Sequence, residues 1–559
     1  MTRDTDMDTT PREYLRKAID DEIKSLEGSI RALRHQRNAL APISSLPTEV
    51  ILTIFSLMHA PGTSRGTSSH VMQGEESDCL AWLRMAHVCH QWREIALNQP
   101  LFWSHVNFTT VSPAGAAEIL ARAKSVPLHL EADVSSRCWD DARVSTFQKE
   151  LQDHISHIRH LDISAEYTQL KRTLDSLTSL APALEFLSLT REYPNRTIET
   201  QGFIPDTLFD GSTPRLSCLE LYNCAINWES PLLRGLKRLN INSPFQRPSP
   251  LVWLDALGEM PQLETLTLLD ASPSAPPDTS RDVELTVTLP SLTLFELSSS
   301  VRDCVFALAH LVVPALATLC LTADSYYPDG SDARELLPYV SRHADGPQHT
   351  KPLQSVFVRS NSQRVEIYAW TAPDININAE SSDMDFELPN AITTLDTMPS
   401  LQAEFSVTSG DWSPWTRTEL FDTAMASLPL DSLVTLAVQK TTRLDKQFWL
   451  GHAQQWPLLR CMQLGSRAAS GLIEALLEDN DGRESPLFPL LTKLVLFDTT
   501  LSPPSTLRLC DVLMNRVEQS VPLDTLDLRT CRATCQAVEL LSEIVTEVLG
   551  PEGYLEEAA

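Results

Sequence analysis

The chain has little glycine, 18 residues among 559. That argues against glycine-rich loops that cradle phosphate, and the sequence has no Walker-type loop, no dinucleotide fingerprint and no Gly-x-Ser-x-Gly elbow. Positive charge is also in short supply: 45 Lys and Arg stand against 73 Asp and Glu, a formal net charge of -28. Phosphate backbones are bound by clustered basic side chains that release counterions, so neither nucleic acid nor an anionic membrane is an expected partner. There is no basic start followed by an apolar run, as a secretory signal would have; MTRDTDMDTT is polar and acidic. The 11 cysteines are odd in number and scattered from Cys79 to Cys535, which fits reduced thiols in an intracellular protein of the cytoplasm or nucleus. Long apolar runs are lacking too. The nearest, Cys304 to Leu321, contains His310 and Pro314 and reads as a core helix running into a core strand, so no membrane span is expected.

Clusters that carry chemistry are equally sparse. His154, His157 and His160 are the nearest approach to a metal site, but His160 abuts a strand beginning near Ile158, so the three do not share a face. Cys531 and Cys535 have no further Cys or His beside them to complete a site. No metal, no cofactor and no catalytic residue is expected.

What the chain does have is pattern. Residues 1–42 read as a heptad-patterned helix. Ile19, Leu26, Leu33 and Leu40 recur every seven residues, with Ile23, Ile30 and Arg37 between them. Such a seam serves either self-association or packing within the same chain. The next stretch, ISSLPTEVILTIFSLMH, places Pro47 at a helix start, where its missing N–H costs nothing, and follows it with an apolar stripe. Residues 60–78, rich in Pro, Gly, Ser and Thr, read as an inserted flexible loop. Helical spacing then resumes and closes with Pro100 to Trp103.

From about 111 to 550 the chain repeats a Leu-x-x-Leu-x-Leu unit. Leu216, Leu219, Leu221 with Cys224, and Leu523, Leu526, Leu528 with Cys531, match the leucine-rich repeat pattern ending in Asn or Cys. Further copies start at Ile158, Leu184, Leu236, Leu263, Leu292, Leu316, Leu353, Leu433, Leu459 and Leu491. Proline stands two residues before the first Leu at Pro182, Pro214, Pro261, Pro290, Pro314, Pro457 and Pro489. Each such Pro ends a helix and pushes its predecessor toward extended backbone, admitting the next strand. The expected fold is therefore α/β: a small all-helical N-terminal module, then a solenoid with parallel strands on its concave face and helices on its convex face. Residues alternating with the buried leucines line the concave face. Glu220, Tyr222, Arg238, Asn240, Thr267, Lys493, Phe497, Asp527 and Arg529 are the expected contacts to a target protein. Residues 551–559 read as a disordered acidic tail.

Residues 43–110 resemble an F-box. The resemblance rests on Leu46-Pro47-x-Glu49-Val50-Ile51 with Ile54 and Phe55, then Leu83, Val88-Cys89-x-x-Trp92-Arg93, then Pro100-Leu101-x-Trp103. The insertion at 60–78 departs from the family pattern. The resemblance implies an adaptor of a Skp-cullin-F-box ubiquitin ligase whose repeats select the target. Leu46, Pro47, Val50, Ile51, Ile54, Leu83 and Trp92 would face the Skp-family subunit; Ile54, Leu83 and Trp92 serve equally well as internal packing. A repeat scaffold acting outside any ligase, and an enzyme built in the irregular stretch 360–430, are the alternatives.

Overall fold

The computed structural model describes residues 11–59, 82–134, 139–192, 204–242, 247–275, 285–327, 329–345, 352–361, 363–373, 399–407, 414–439, 444–478 and 486–551. The insertion expected at 60–78 and all but the first residue of the expected tail lie outside them. The chain divides into two compact units, Met1–Glu185 and Phe186–Ala559.

In the first unit a long helix, Pro11–Ala39, precedes a 3-10 turn, Pro42–Ser45, and helices Thr48–His59, Leu83–Ala86 and His90–Leu97. Strands β1 (His105–Asn107), β2 (Leu128–Asp133) and β3 (Ile158–Glu166) then alternate with helices Pro113–Ala123 and Asp141–His154. All three strands pair in parallel. Ser112 and Asp140 cap the two helices by accepting from the backbone N–H of Gly115 and Arg143. Apolar alternation along β2 and β3 buries Leu128, Leu130, Leu161 and Ile163 completely.

The second unit holds β4 (Phe186–Glu192), β5 (Cys218–Tyr222), β6 (Arg238–Asn242), β7 (Thr265–Leu269), β8 (Val287–Thr288), β9 (Leu294–Ser300), β10 (Leu311–Val312), β11 (Thr318–Ser325), β12 (Ser355–Ser360), β13 (Arg364–Trp370), β14 (Leu401–Val407), β15 (Thr435–Val438), β16 (Cys461–Gly465), β17 (Lys493–Phe497), β18 (Thr525–Asp527) and β19 (Glu547–Leu549). Apart from the small β8–β10 pair, they form one sheet in the order β4-β5-β6-β7-β9-β11-β14-β13-β12-β15-β16-β17-β18-β19. The sheet is parallel except at β13, which runs antiparallel to both neighbours.

The repeated leucines stand in register. Leu219, Leu239, Leu266 and Phe295 lie opposite one another, as do Leu436, Met462, Leu494 and Leu526. Each is fully buried or nearly so. Two backbone devices recur with them. The carbonyl just ahead of one strand accepts two successive N–H groups of the next: Ser217 from Lys237 and Arg238, Lys237 from Glu264 and Thr265, Arg460 from Thr492 and Lys493, Thr492 from Asp524 and Thr525. Just past β5, β7 and β17, the residues Asn223, Asp270 and Asp498 take positive φ, a conformation that short polar side chains tolerate best after glycine.

The Cys position of the repeat has a physical role. Cys224 and Cys531 are buried, and their thiols point at the carbonyls of Leu189 and Leu496 on the preceding strands, at 3.5 and 3.1 Å. Prolines lie in the turns before strands, as at Pro261 and Pro457, but Pro113, Pro250 and Pro503 also open helices at the first position. In the apolar run that ends at Leu321, a helix stops at His310 and β11 begins at Thr318. Among the described residues, no helix is long and apolar enough to cross a membrane.

Candidate protein-interaction surfaces

The helical module closes around its own aromatic core. Ile51, Phe55, Trp82, Met85, Ala96, Phe102 and Trp103 are buried. Trp82 stacks on Phe102 at 5.6 Å between ring centres and meets Trp103 edge-on at 4.8 Å. Motif residues supply the fastenings. The Pro47 carbonyl accepts from the N–H of Val50 and Ile51 and starts the helix Thr48–His59. Cys89 caps the helix His90–Leu97 by accepting from Trp92 N–H, and the Arg93 Nε donates to the Ala86 carbonyl at 2.9 Å. Trp103 Nε1 donates to the Leu97 carbonyl at 3.2 Å.

With that core complete, apolar side chains remain outside it. Val50 is exposed, Pro47 too, and Leu46, Ile54, Leu83 and Trp92 are half-buried. Ile51, read from the sequence as facing a partner, is 1% exposed and belongs to the core. Helical periodicity puts Pro47, Val50, Ile51 and Ile54 on one side, but the side turns inward at Ile51 and Phe55. Trp92 is shared, since its ring meets Phe55 while one side stays open. Ile43, Leu57 and Leu101 are further exposed apolar residues of this module that sequence reasoning did not single out. Leu57 shows most, at 76%, and only the spacing from Val50 (two helical turns) could have signalled it.

The long helix exposes its seam. Ile19, Ile23, Leu26, Ile30 and Leu33 are 48–65% exposed. Its last turns approach the module where His35 meets the His90 ring edge-on.

On β1, β2 and β3, His105, His129 and His160 occupy one register position. Their rings stack at 4.3 Å and 5.2 Å between centres. Burial, then the neighbouring imidazole, lowers His129 and His160 to about 4, so both are neutral at neutral pH. His154 and His157 contact each other instead, Nδ1 to Nε2 at 3.3 Å. Among the described residues, no group of three or more His, Cys, Asp and Glu is placed to hold a metal ion.

In the second unit the leucines face the helices and the alternate residues face the open side. Glu220, Tyr222, Arg238, Asn240 and Thr267 come together on β5, β6 and β7. Tyr222 Oη donates to Glu220 at 3.3 Å and accepts from Asn240 Nδ2 at 3.1 Å. Thr267 is buried beneath Glu296, to which it donates at 3.1 Å, and burial raises the Glu296 carboxyl above its usual range. Lys493, Phe497, Asp527 and Arg529 lie with β17 and β18, many strands away, and form a separate group. Lys493 is exposed, but Phe497 is buried and offers no contact area. Asp527 is buried too. Burial works against its charge, but the Arg529 guanidinium outweighs that and holds the carboxyl below its usual range.

The stretch that looked irregular carries the densest chemistry on this face of the sheet, and here the face is covered. Arg359 donates to Glu366 at 2.9 Å, and Tyr368 Oη donates to the same carboxylate at 2.8 Å. Arg364 pairs with Glu404 at 2.8 Å; burial, then Glu366, raises the Glu404 carboxyl. Phe357, Tyr368 and Trp370 stack beside them and are buried. The chain after Trp370 crosses this cluster, where Ser355 and Thr435 donate to the carbonyls of Ala372 and Pro373, each at 2.6 Å.

An F-box-like family model matches residues 43–109, the module just described. No curated protein matches the chain.

Proposed function

We propose that this chain, with its F-box-like domain at residues 43–109, is a non-catalytic substrate-recognition adaptor of a Skp-cullin-F-box type ubiquitin ligase. F-box-like domains typically bind Skp-family partners. The supporting observation is the apolar surface left over when the module's core is complete: Leu46, Pro47, Val50, Ile54, Leu57 and Leu83 remain wholly or partly accessible. Burying one such side chain in a partner stabilises by about 1.5–3 kcal/mol, so a few suffice to hold a subunit.

The second unit would act as a leucine-rich-repeat solenoid that binds a target protein on the open side of its sheet. The in-register leucines, the recurring backbone devices and the buried Cys224 and Cys531 support this reading. The β5–β7 group, with Glu220, Tyr222, Arg238 and Asn240 accessible, is the preferred contact area. Function then reduces to tethering: target and ligase held on one chain meet at raised effective concentration. Ubiquitin transfer is left to other subunits. In this reading the chain works inside the cell, in the cytoplasm or nucleus.

The test is binding of the full chain to a purified Skp-family subunit, with Leu46 and Pro47 changed together to Ala. Binding lost in the variant, with its melting temperature retained, supports the ligase reading. Absence of binding by the folded parent chain leaves a repeat scaffold acting outside any ligase.

A further inference from the structure

The heptad seam of the helix Pro11–Ala39 lies open along most of its length. Ile23 and Ile30 alternate with Ile19, Leu26 and Leu33, and each of these five side chains is roughly half or more exposed. In the first unit, contact with the F-box-like module is made near the helix's end, at His35. A continuous apolar stripe of this length, with β-branched and leucine positions alternating, fits one further helix.

The charges beside the seam identify that helix and its direction. Between Ile19 and Arg37, Asp20, Asp21 and Glu22 lie toward one end and Arg31, Arg34 and Arg37 toward the other, with Lys24 and Glu27 between them; Arg12, Arg16 and Lys17 precede the acidic group. A second copy laid in parallel would set Arg37 against Arg37 inside the seam and Glu22 beside Glu27. A second copy laid antiparallel sets Asp20 against Arg34 twice, and places Arg37 beside Ile19 within reach of Asp20. It also brings Ile23 opposite Leu33, and Leu26 opposite Ile30. Like charges still meet at Glu27 with Glu27, where each carboxylate already holds the Arg31 of its own helix at 3.1 Å, and at Arg16, which falls one layer from Arg37 of the other copy. Charges flanking a seam select partner and direction.

We propose that this helix pairs antiparallel with the same helix of a second copy of the chain. The F-box-like domains of the two copies then lie at opposite ends of the paired segment. A 29-residue helix spans about 43 Å, at 1.5 Å per residue. The proposal is independent of any ligase role.

The experiment is light scattering of the full chain across a concentration series. The expected mass is twice the 62.3 kDa of one chain. Ile23→Glu with Ile30→Glu should return the monomer mass, with an unchanged melting curve, because neither side chain is part of a buried core. Arg34→Glu alone should weaken dimerisation at least about tenfold, and adding Asp20→Arg should restore it, each tenfold step being about 1.4 kcal/mol. A monomer at every concentration overturns the proposal, and so does a dimer that survives the Ile23→Glu, Ile30→Glu change. A dimer that the Asp20→Arg, Arg34→Glu pair does not restore overturns the antiparallel direction, as does a disulfide linking Ile19→Cys to its own counterpart.

Discussion

The ring of Trp92 meets Phe55 edge-on, 5.0 Å between centres and 65° between planes, and this contact joins the first helix of the F-box-like module to the last. The two residues come from sequence segments separated by the insertion at 60–78. Together with the Phe55–Phe102 contact, at 6.2 Å between centres, their meeting holds the two segments in one core.

Removing that contact should be costly. Trp92→Ala is expected to destabilise the module by about 2–3 kcal/mol, at or just below the roughly 3–5 kcal/mol of buried aromatic truncations, because Trp92 is only half-buried. Trp92→Phe should recover most of the loss, since an aromatic edge still reaches Phe55. Chemical denaturation of both variants measures this, and equal losses would show that the Phe55 contact contributes little.

The histidine stack gives a pH dependence. His129 and His160 are lowered to about 4 in the fold, against 6.5 in an unfolded chain. Between those values the unfolded chain takes up protons that the fold does not, so this contribution to stability falls as pH drops from about 6.5 toward 4. Glu131 on β2, raised by its burial, runs the opposite way. The diagnostic is therefore a difference. The His129→Phe, His160→Phe double variant should lose less stability than the parent chain between pH 7 and pH 5. Parallel slopes would contradict the stacked, neutral imidazoles.

Gly471 sits where the helix Ser466–Leu477 crosses the backbone at Leu444 and Asp445. A Cβ there would overlap the Leu444 carbonyl oxygen. Alanine in a helix interior is worth roughly 1 kcal/mol over glycine by propensity alone. Overpacking works against it by about 1–3 kcal/mol or more, since both sides of the contact are backbone. Gly471→Ala should therefore destabilise on balance. Gly258, whose added Cβ would meet nothing within 4 Å, is the control expected to tolerate the same change. A more stable Gly471→Ala variant would mean that the helix shifts freely.

How much of this was legible in the sequence depends on the range of the information. The strand leucines were legible because alternation over six residues is a local property, and a dozen copies reinforce one another. Asn223, Asp270 and Asp498 follow the same logic, though their shared position past the strand emerges only once the strands are aligned. The inward turn of Ile51 was not legible, because helical spacing gives a face but not what covers it. Nor was β13. It is buried on both faces, so Val365, Ile367 and Ala369 lose their contrast with Tyr368 and Trp370, and no local pattern states whether a strand runs with its neighbours or against them. Phe497 and Asp527 were read as contacts from alternation alone, but both are buried.

The place of β14 has a consequence for how the chain is made. Two pairings skip over intervening strands of the sheet: β12 pairs with β15, and β11 pairs with β14, Leu319 opposite Leu401, while β12 and β13 are synthesised between them. During translation the edge of β11 must therefore wait, with its N–H and C=O groups unsatisfied, until Leu401 has left the ribosome. The closure itself adds little free energy, since loop entropy grows only with the logarithm of length. The delay is the hazard: β12 arrives first, is rich in valine, and can zip onto the waiting edge in the wrong place. Chaperone demand and aggregation during expression should concentrate where these skipped pairings are still open, and truncations ending between Ser360 and Leu401 should be the least soluble of any that stop within the second unit.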